Sequence, residues 1–405
     1  MKTVKTISTG EKVISVCSWL ILMVFVLASP VLAQVELKSV IPIPGFVDFS
    51  NPASLHAASF DIGWVSRGKY YFTDRGPTAT AYGDCHGRVD VIDASDNPNL
   101  EDPICGFVGN RGSGVSGPNG VLVIPAANEL WAGDGDSTVK VVDLNTKSIV
   151  ATISTGGKKR ADELAYDPTD DVIMVGNDSE DLPADGGTGQ FLTLIDRATR
   201  KVLGQIFYNG SDAQHPLATA GMEQPVFDEN TGVFYQAVPA TTDNPGGEID
   251  AIDPVTMMIV NRFPITDCIP HGLTLGPLNR LLLGCTDAVA PITGTPSLQV
   301  MDDRDGTIVA IIPQVTGADE SWYNSGDRRY YVAASNCPVS ICGGPVFAVI
   351  NADTNEWLQN VPTATGAHSI AVNPRNNLVF SPRGPVPPDP ASTDVGVAVY
   401  GHADD

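Results

Sequence analysis

The sequence predicts an all-β fold, a seven-bladed β-propeller closed by an N-terminal strand that completes the last blade. Three observations carry this expectation. A pattern of four short apolar runs recurs about every fifty residues, the period of a propeller blade. Turn formers punctuate those runs, with 40 Gly and 31 Pro among 405 residues, too many for a helical bundle. The last repeat lacks its fourth run, and a matching run stands alone near the start of the chain.

In chain order, the first element reads as an export signal. Lys2, Lys5 and Lys12 precede an apolar run from Val13 to Ala28, and Val31-Leu-Ala33 offers a small-residue cleavage site. The run is sixteen residues long, short for a bilayer span, and no Cys follows the cleavage site to carry a lipid. The expected organisation is a signal peptide over 1–33 and a propeller over 34–405. The expected location is periplasmic or secreted, with no stable membrane insertion after cleavage. A balance of 24 Lys+Arg against 47 Asp+Glu, net −23, argues against a nucleic-acid partner, which needs a basic face. An apolar fraction of 42% is too high for a disordered acidic tail.

The repeats follow. Asn119-Gly-Val-Leu-Val-Ile-Pro125 leads to Glu129-Leu-Trp-Ala-Gly133, then Thr138-Val-Lys-Val-Val-Asp143, then Ser148-Ile-Val-Ala-Thr-Ile153. The same order starts again at Asp162, Glu223, His271, Asp319 and His368, with a degenerate copy from Asp61. Seven starts give seven units of strands a, b, c and d. Pro, Asp, Asn or Gly mark the a–b turns, and Asp-x-x-Thr-like residues mark the c–d turns. The unit from His368 to Tyr400 has no strand d. Val35-Glu-Leu-Lys-Ser-Val-Ile-Pro-Ile-Pro-Gly45 reads like the d strands at 147–156 and 306–317, so it is expected to complete that unit and leave no free edge. The segments Lys147-Ser-Ile-Val-Ala-Thr-Ile-Ser-Thr-Gly156 and Gly366-Ala-His-Ser-Ile-Ala-Val-Asn-Pro374 resemble the YVTN (YncE-like) β-propeller repeat family. The resemblance implies an extracytoplasmic seven-bladed propeller and no particular reaction.

A propeller places the short a–b and c–d turns on one face and the d–a and b–c connections on the other. The long connections at 76–84, 179–189, 241–247, 287–296, 337–344 and 383–393 therefore crowd one rim, where binding concentrates. Cys17 leaves with the signal. The remaining six cysteines suit disulfides in an exported chain, and counting alone allows fifteen pairings. The propeller map suggests Cys85–Cys105, Cys268–Cys285 and Cys337–Cys342.

Aligning the a strands on their turns gives the sharpest candidate site. Six residues before each turn stand Asp61, Asn119, Asp162, Glu223, His271, Asp319 and His368, two of the chain's six His among them. Strand a lines a propeller's channel, so these side chains are expected to ring its mouth on the looped face. Their neighbours Glu163, Gln224 and Glu320 are the alternates for facing the axis. His and carboxylates converging from separate strands are ligands for Zn, Mn, Fe or Cu. His271, His368, Glu223 and Asp162 are the expected metal ligands, and Asp319, with Glu320 beside it, the expected general base. Asp61 and Asn119 are expected to bind ligand. Arg75 and Arg383, each in Arg-Gly-Pro after a b strand, could clamp a carboxylate or phosphate. The bland alternative is a hydrated ring of polar strand starts.

Weaker candidates are His56 and His215 in looped connections, a structural His86, and an exposed His402 near the tail. Asp134, Asp136, Asn177 and Asp178 end b strands and could offer oxygens to Ca²⁺. Asp302-Asp-Arg-Asp-Gly306 misses calcium-loop spacing and reads as a turn. HExxH, GxSxG, Walker and CxxCH signatures are absent from the sequence. Two functions follow. One is a metal-dependent hydrolase or lyase acting on a small molecule, lactone-type or similar. The other is a non-catalytic propeller binding a small ligand, an envelope component or a protein.

Overall fold

A computed structural model describes residues 34–43, 60–76, 85–286, 296–364, 366–383 and 396–403. The expected signal peptide, His56, and the long connections at 77–84, 287–295 and 384–395 lie outside them. Seven antiparallel sheets form a β-propeller. The sheets follow the sequence units. In blade 2, strand a is Val121–Ile124, b Glu129–Asp134, c Thr138–Asp143 and d Ser148–Ser154. Strand d of blade 1 is broken into Asn99–Leu100 and Ile104–Phe107, both on strand c. Strand d of blade 3, Lys201–Asp212, runs on into a small hairpin with His215–Leu217. Val35–Pro42 pairs antiparallel with Gly396–His402, strand c of blade 7, from Val35 opposite His402 to Pro42 opposite Gly396. The last sheet is thus drawn from both chain ends, as their complementary runs predict.

The core lies between blades. Strands alternate their side chains, and the b and c strands carry apolar residues to both faces, so each sheet packs on its two neighbours. Tyr70 and Phe72 of blade 1 meet Phe380, Val397 and Val399 of blade 7, with Tyr70 stacked on Phe380 at 5.1 Å. Ile41 and Ile43 from the N-terminal segment join that cluster, and Val35 joins the one between blades 6 and 7. Such sheet-on-sheet packing holds the axis rigid and leaves the strand a ends free to carry chemistry.

All three expected disulfides form: Cys85–Cys105, Cys268–Cys285 and Cys337–Cys342. Cys268 lies past the end of strand d (Met258–Pro264), in the d–a connection rather than on the strand. Three disulfides fit an oxidising, extracellular environment. Among the described residues no helix is long and apolar enough to cross a membrane.

Candidate metal centre at the channel mouth

The shared register of the ring has a backbone cause. Asn119, Asp162, Glu223 and Asp319 each donate their N–H to a small residue of strand b, the carbonyls of Gly133, Gly176, Ala237 and Ala333, at 2.8–3.0 Å. These residues precede the regular part of strand a by two positions, which begins at Val121, Leu164, Pro225 and Ser321. In blades 1 and 5 strand a is longer, and its pairing slips at Asp61 and His271. The slip and the short strands suspend strict alternation, so consecutive residues face the axis. Asp162 with Glu163, and Asp319 with Glu320, both line the cavity. Blade 5 has Gly272 at the second position because the Asp319 carbonyl of the next blade fills the space a Cβ would need. The mouth is a cavity of about 320 Å³ lined by six carboxyl side chains: Asp61, Asp162, Glu163, Glu223, Asp319 and Glu320.

Blades 4, 5 and 6 bring Glu223, His271 and Asp319 together, with one donor atom of each within 4.8 Å of the others. His271 Nδ1 lies 3.6 Å from Glu223 Oε1 and 3.8 Å from Asp319 Oδ1. These separations exceed a hydrogen bond. They approach the spacing of about 3.4 Å between donors on one tetrahedral ion with bonds of about 2.1 Å. His271 Nε2 is buried without a partner. Burial lowers the His271 imidazole, but the Glu223 and Asp319 carboxylates outweigh it and hold it up at about 9. Burial raises the Glu223 carboxyl to about 7, with the Asp319 charge adding to this rise against the opposing pull of His271.

The other side of the ring is paired internally. His368 Nε2 is 3.3 Å from Asp61 Oδ1, and its Nδ1 is 3.0 Å from the Gly366 carbonyl. Burial works against charge on this imidazole, yet the hydrogen bond to Asp61 raises it. Asp61 also pairs with Arg75, whose Nε donates to Asn119 Oδ1 at 2.8 Å. Burial opposes ionisation of Asp61, and Arg75 and His368 overcome it, leaving the carboxyl well below the usual range. Arg160 pairs with Asp162 at 2.8 Å and with Asp178 at 2.6 Å. Burial pushes the Glu163 and Glu320 carboxyls far up, and each is hydrogen-bonded to the other.

The structure therefore divides the predicted residues. His368 and Asp162 do not join His271 and Glu223. Both His368 nitrogens are directed at oxygens, which leaves no lone pair for a metal, and Arg160 holds Asp162. Asp319, expected as a base, stands in the donor cluster, and Glu320 is bound to Glu163. Asp61, Asn119 and Arg75 bond to one another. Arg383 is not brought to the mouth and instead bonds to the Tyr400 hydroxyl. His402 is buried, not exposed, and pairs with Asp327 at 3.3 Å. His215 pairs with Asp212 away from the channel, and Asp134 is neutralised by Lys140 at 2.8 Å. Sequence reasoning passes over Arg160, whose one signal is its place two residues before a ring carboxylate. Gln224 does not face the axis as a ligand. Its side chain accepts from Leu273 N at 2.8 Å and Ser321 N at 3.1 Å, bracing blades 4, 5 and 6 beneath the mouth.

No protein-family model and no curated protein matches this sequence. Among solved structures, a chain of the crystal structure of a mitotic checkpoint complex matches with TM-score 0.62 at 9% identity, over 98% of this chain and 98% of its own. That likeness shows the β-propeller fold and nothing of function.

Proposed function

We propose that the channel mouth binds a divalent transition metal through Glu223, His271 and Asp319, and that the protein is an exported metal-dependent hydrolase or lyase acting on a small molecule. One observation carries this reading. An imidazole nitrogen faces two carboxylates at distances too long for hydrogen bonds and close to ligand spacing on one ion. The mixed N and O donors suit Zn, Mn, Fe or Cu better than Ca²⁺. A metal held there would polarise a carbonyl or acidify bound water. The chain's own contribution would be proton handling: Glu163 and Glu320 line the same cavity, and burial raises both carboxyls far above the usual range. Kinship with YVTN propellers belongs to the same proposal and rests on the repeat segments at 147–156 and 366–374. A periplasmic or secreted location is supported by the three disulfides.

A non-catalytic propeller that binds a small ligand or envelope component is the second reading. It draws on the internal pairing of Asp61, Arg75, His368, Arg160 and Asp162, which commits half of the ring to structure. Elemental analysis of the purified protein, followed by isothermal titration of metal-free protein with Zn²⁺ and Mn²⁺, tests the first reading. One tight site, lost in His271→Ala, is expected. No binding, or equal binding in that variant, would overturn it. Metal binding without turnover of any ester, lactone or uronate in a broad screen selects the second reading.

A further inference from the structure

Away from the channel mouth, the residue after each c strand occupies an equivalent place in five blades. The N–H groups of Ala94, Leu144, Arg197, Asp303 and Ala352 donate at 2.8–3.1 Å to the carbonyls of Gly68, Asn128, Asp171, Asn279 and Arg328 in their own a–b turns. This place abuts the preceding blade. The Ala94 carbonyl accepts from Asn373 Nδ2 of blade 7, and the Arg197 side chain reaches Glu129 of blade 2. Four of these residues are apolar or paired. Asp303 is neither. It is 1% exposed, and neither carboxylate oxygen has a hydrogen-bond partner.

Its surroundings come from blade 4. Tyr235 Oη donates to the Asp303 carbonyl at 2.7 Å and lies 3.4 Å from Thr231 Oγ1. The Asp228 carboxylate opens that same turn, is fully buried, accepts there from Asn230 N at 2.9 Å and Thr231 N at 3.3 Å, and is the acidic neighbour acting most strongly on Asp303. The nearby cations Arg280 and Arg304 relieve it only in part, because both bind Asp302. Burial, then Asp228 and Asp302, push the Asp303 carboxyl up to about 6. At neutral pH and above, a buried unpartnered carboxylate beside another calls for a cation to offset it. The local donors named here are all oxygens, the preference of a hard ion.

We propose that Asp303 and Asp228 form a second cation site, for Ca²⁺ or a like hard divalent ion, at the seam between blades 4 and 5 on the face of the short turns. The site is independent of the channel mouth. It ties two neighbouring sheets that otherwise meet there through like charges, so its occupant acts as a clamp on the ring.

The test uses the full exported chain, stripped of metal, at pH 8, where the competing proton is gone. Addition of about 1 mM CaCl₂, the range for extracellular calcium modules, is expected to raise the melting midpoint by about 2 °C or more. Calorimetric titration with CaCl₂ should show one site. Asp303→Asn keeps the shape and removes the charge, and it should abolish both responses while melting no lower than calcium-free wild type. His271→Ala should retain both. The same CaCl₂ response in Asp303→Asn would overturn the proposal, and so would no response in the wild type. If Asp303→Asn does not fold, Asp228→Asn is the replacement, with the same expected loss.

Discussion

The two sides of the channel mouth carry the same kinds of residue at the same register and have opposite fates. From blade 7 round to blade 3, His368, Asp61, Arg75, Asn119, Arg160 and Asp162 consume one another. Across blades 4 to 6, Glu223, His271 and Asp319 face one another without hydrogen bonds between them. What differs is arginine. Where Arg75 and Arg160 reach in, carboxylates become parts of ion pairs, Asp61 within blade 1 and Asp162 and Asp178 within blade 3. Where none does, they remain acceptors for something from outside. A polar ring is therefore not a site by composition. The site is the arc whose acids face a titratable imidazole and no arginine.

The largest expected effect breaks the paired arc. Arg160→Ala leaves Asp162 and Asp178 buried without their cation, a loss of about 3–5 kcal/mol. Chemical denaturation should show it, and the folded fraction should still bind metal. A near-neutral result would mean that the arc is solvated and the contrast between the two sides false. The next effect falls on the open arc. His271→Ala or Glu223→Gln should weaken metal binding by at least about 100-fold, since even outer partners of a metal cost 10–100-fold. Glu223→Gln should not lower stability by more than about 1 kcal/mol, because its side chain makes no close hydrogen bond.

A third effect is the pH dependence of that site. Metal can bind only after His271, held at about 9, and Glu223, raised to about 7, release their protons. Affinity should therefore fall as pH drops from 9 to 6, by about tenfold or more per unit at the acid end. Titrations at pH 6, 7 and 8 measure it. A flat profile would remove His271 from the ligand set.

Much of the fold was legible because a propeller writes itself in the chain four runs at a time, and the missing strand d of blade 7 pointed to Val35–Pro42. The disulfides followed from that map. The ring was legible as a register, since the bond from Asp162 N to Gly176 O and its equivalents fix the same place in four blades. What could not be read was partnership. Arg160 and Asp178 stand outside the ring pattern in sequence and decide the fate of Asp162. Arg383 shares its Arg-Gly-Pro context with Arg75 yet turns to Tyr400. Nor could alternation predict that Glu163 and Glu320 would face the axis beside Asp162 and Asp319, because it fails where strand a has not yet become regular.

The smallest effect tests whether Glu163 and Glu320 belong to either arc. Both are buried and hydrogen-bonded to each other, so one proton between them satisfies the contact. Their carboxyls sit far above the ordinary range, first through burial and then through the acids around them. The sign follows from linkage. A carboxyl whose folded pKa is raised stabilises the fold while protonated, fully below its unfolded value near 4.5, and loses that contribution as pH rises through the folded value. Glu163→Gln replaces the shared proton by a fixed amide donor. At pH 5 the variant should match wild type to within about 1 kcal/mol, since one hydrogen bond is exchanged for another. At pH 9, where wild type must either keep a costly proton or bury a charge, the variant should be the more stable of the two. Melting curves of metal-free protein at both pH values decide it. Equal destabilisation at both would show that the pair is a packing contact and holds no proton for chemistry at the open arc.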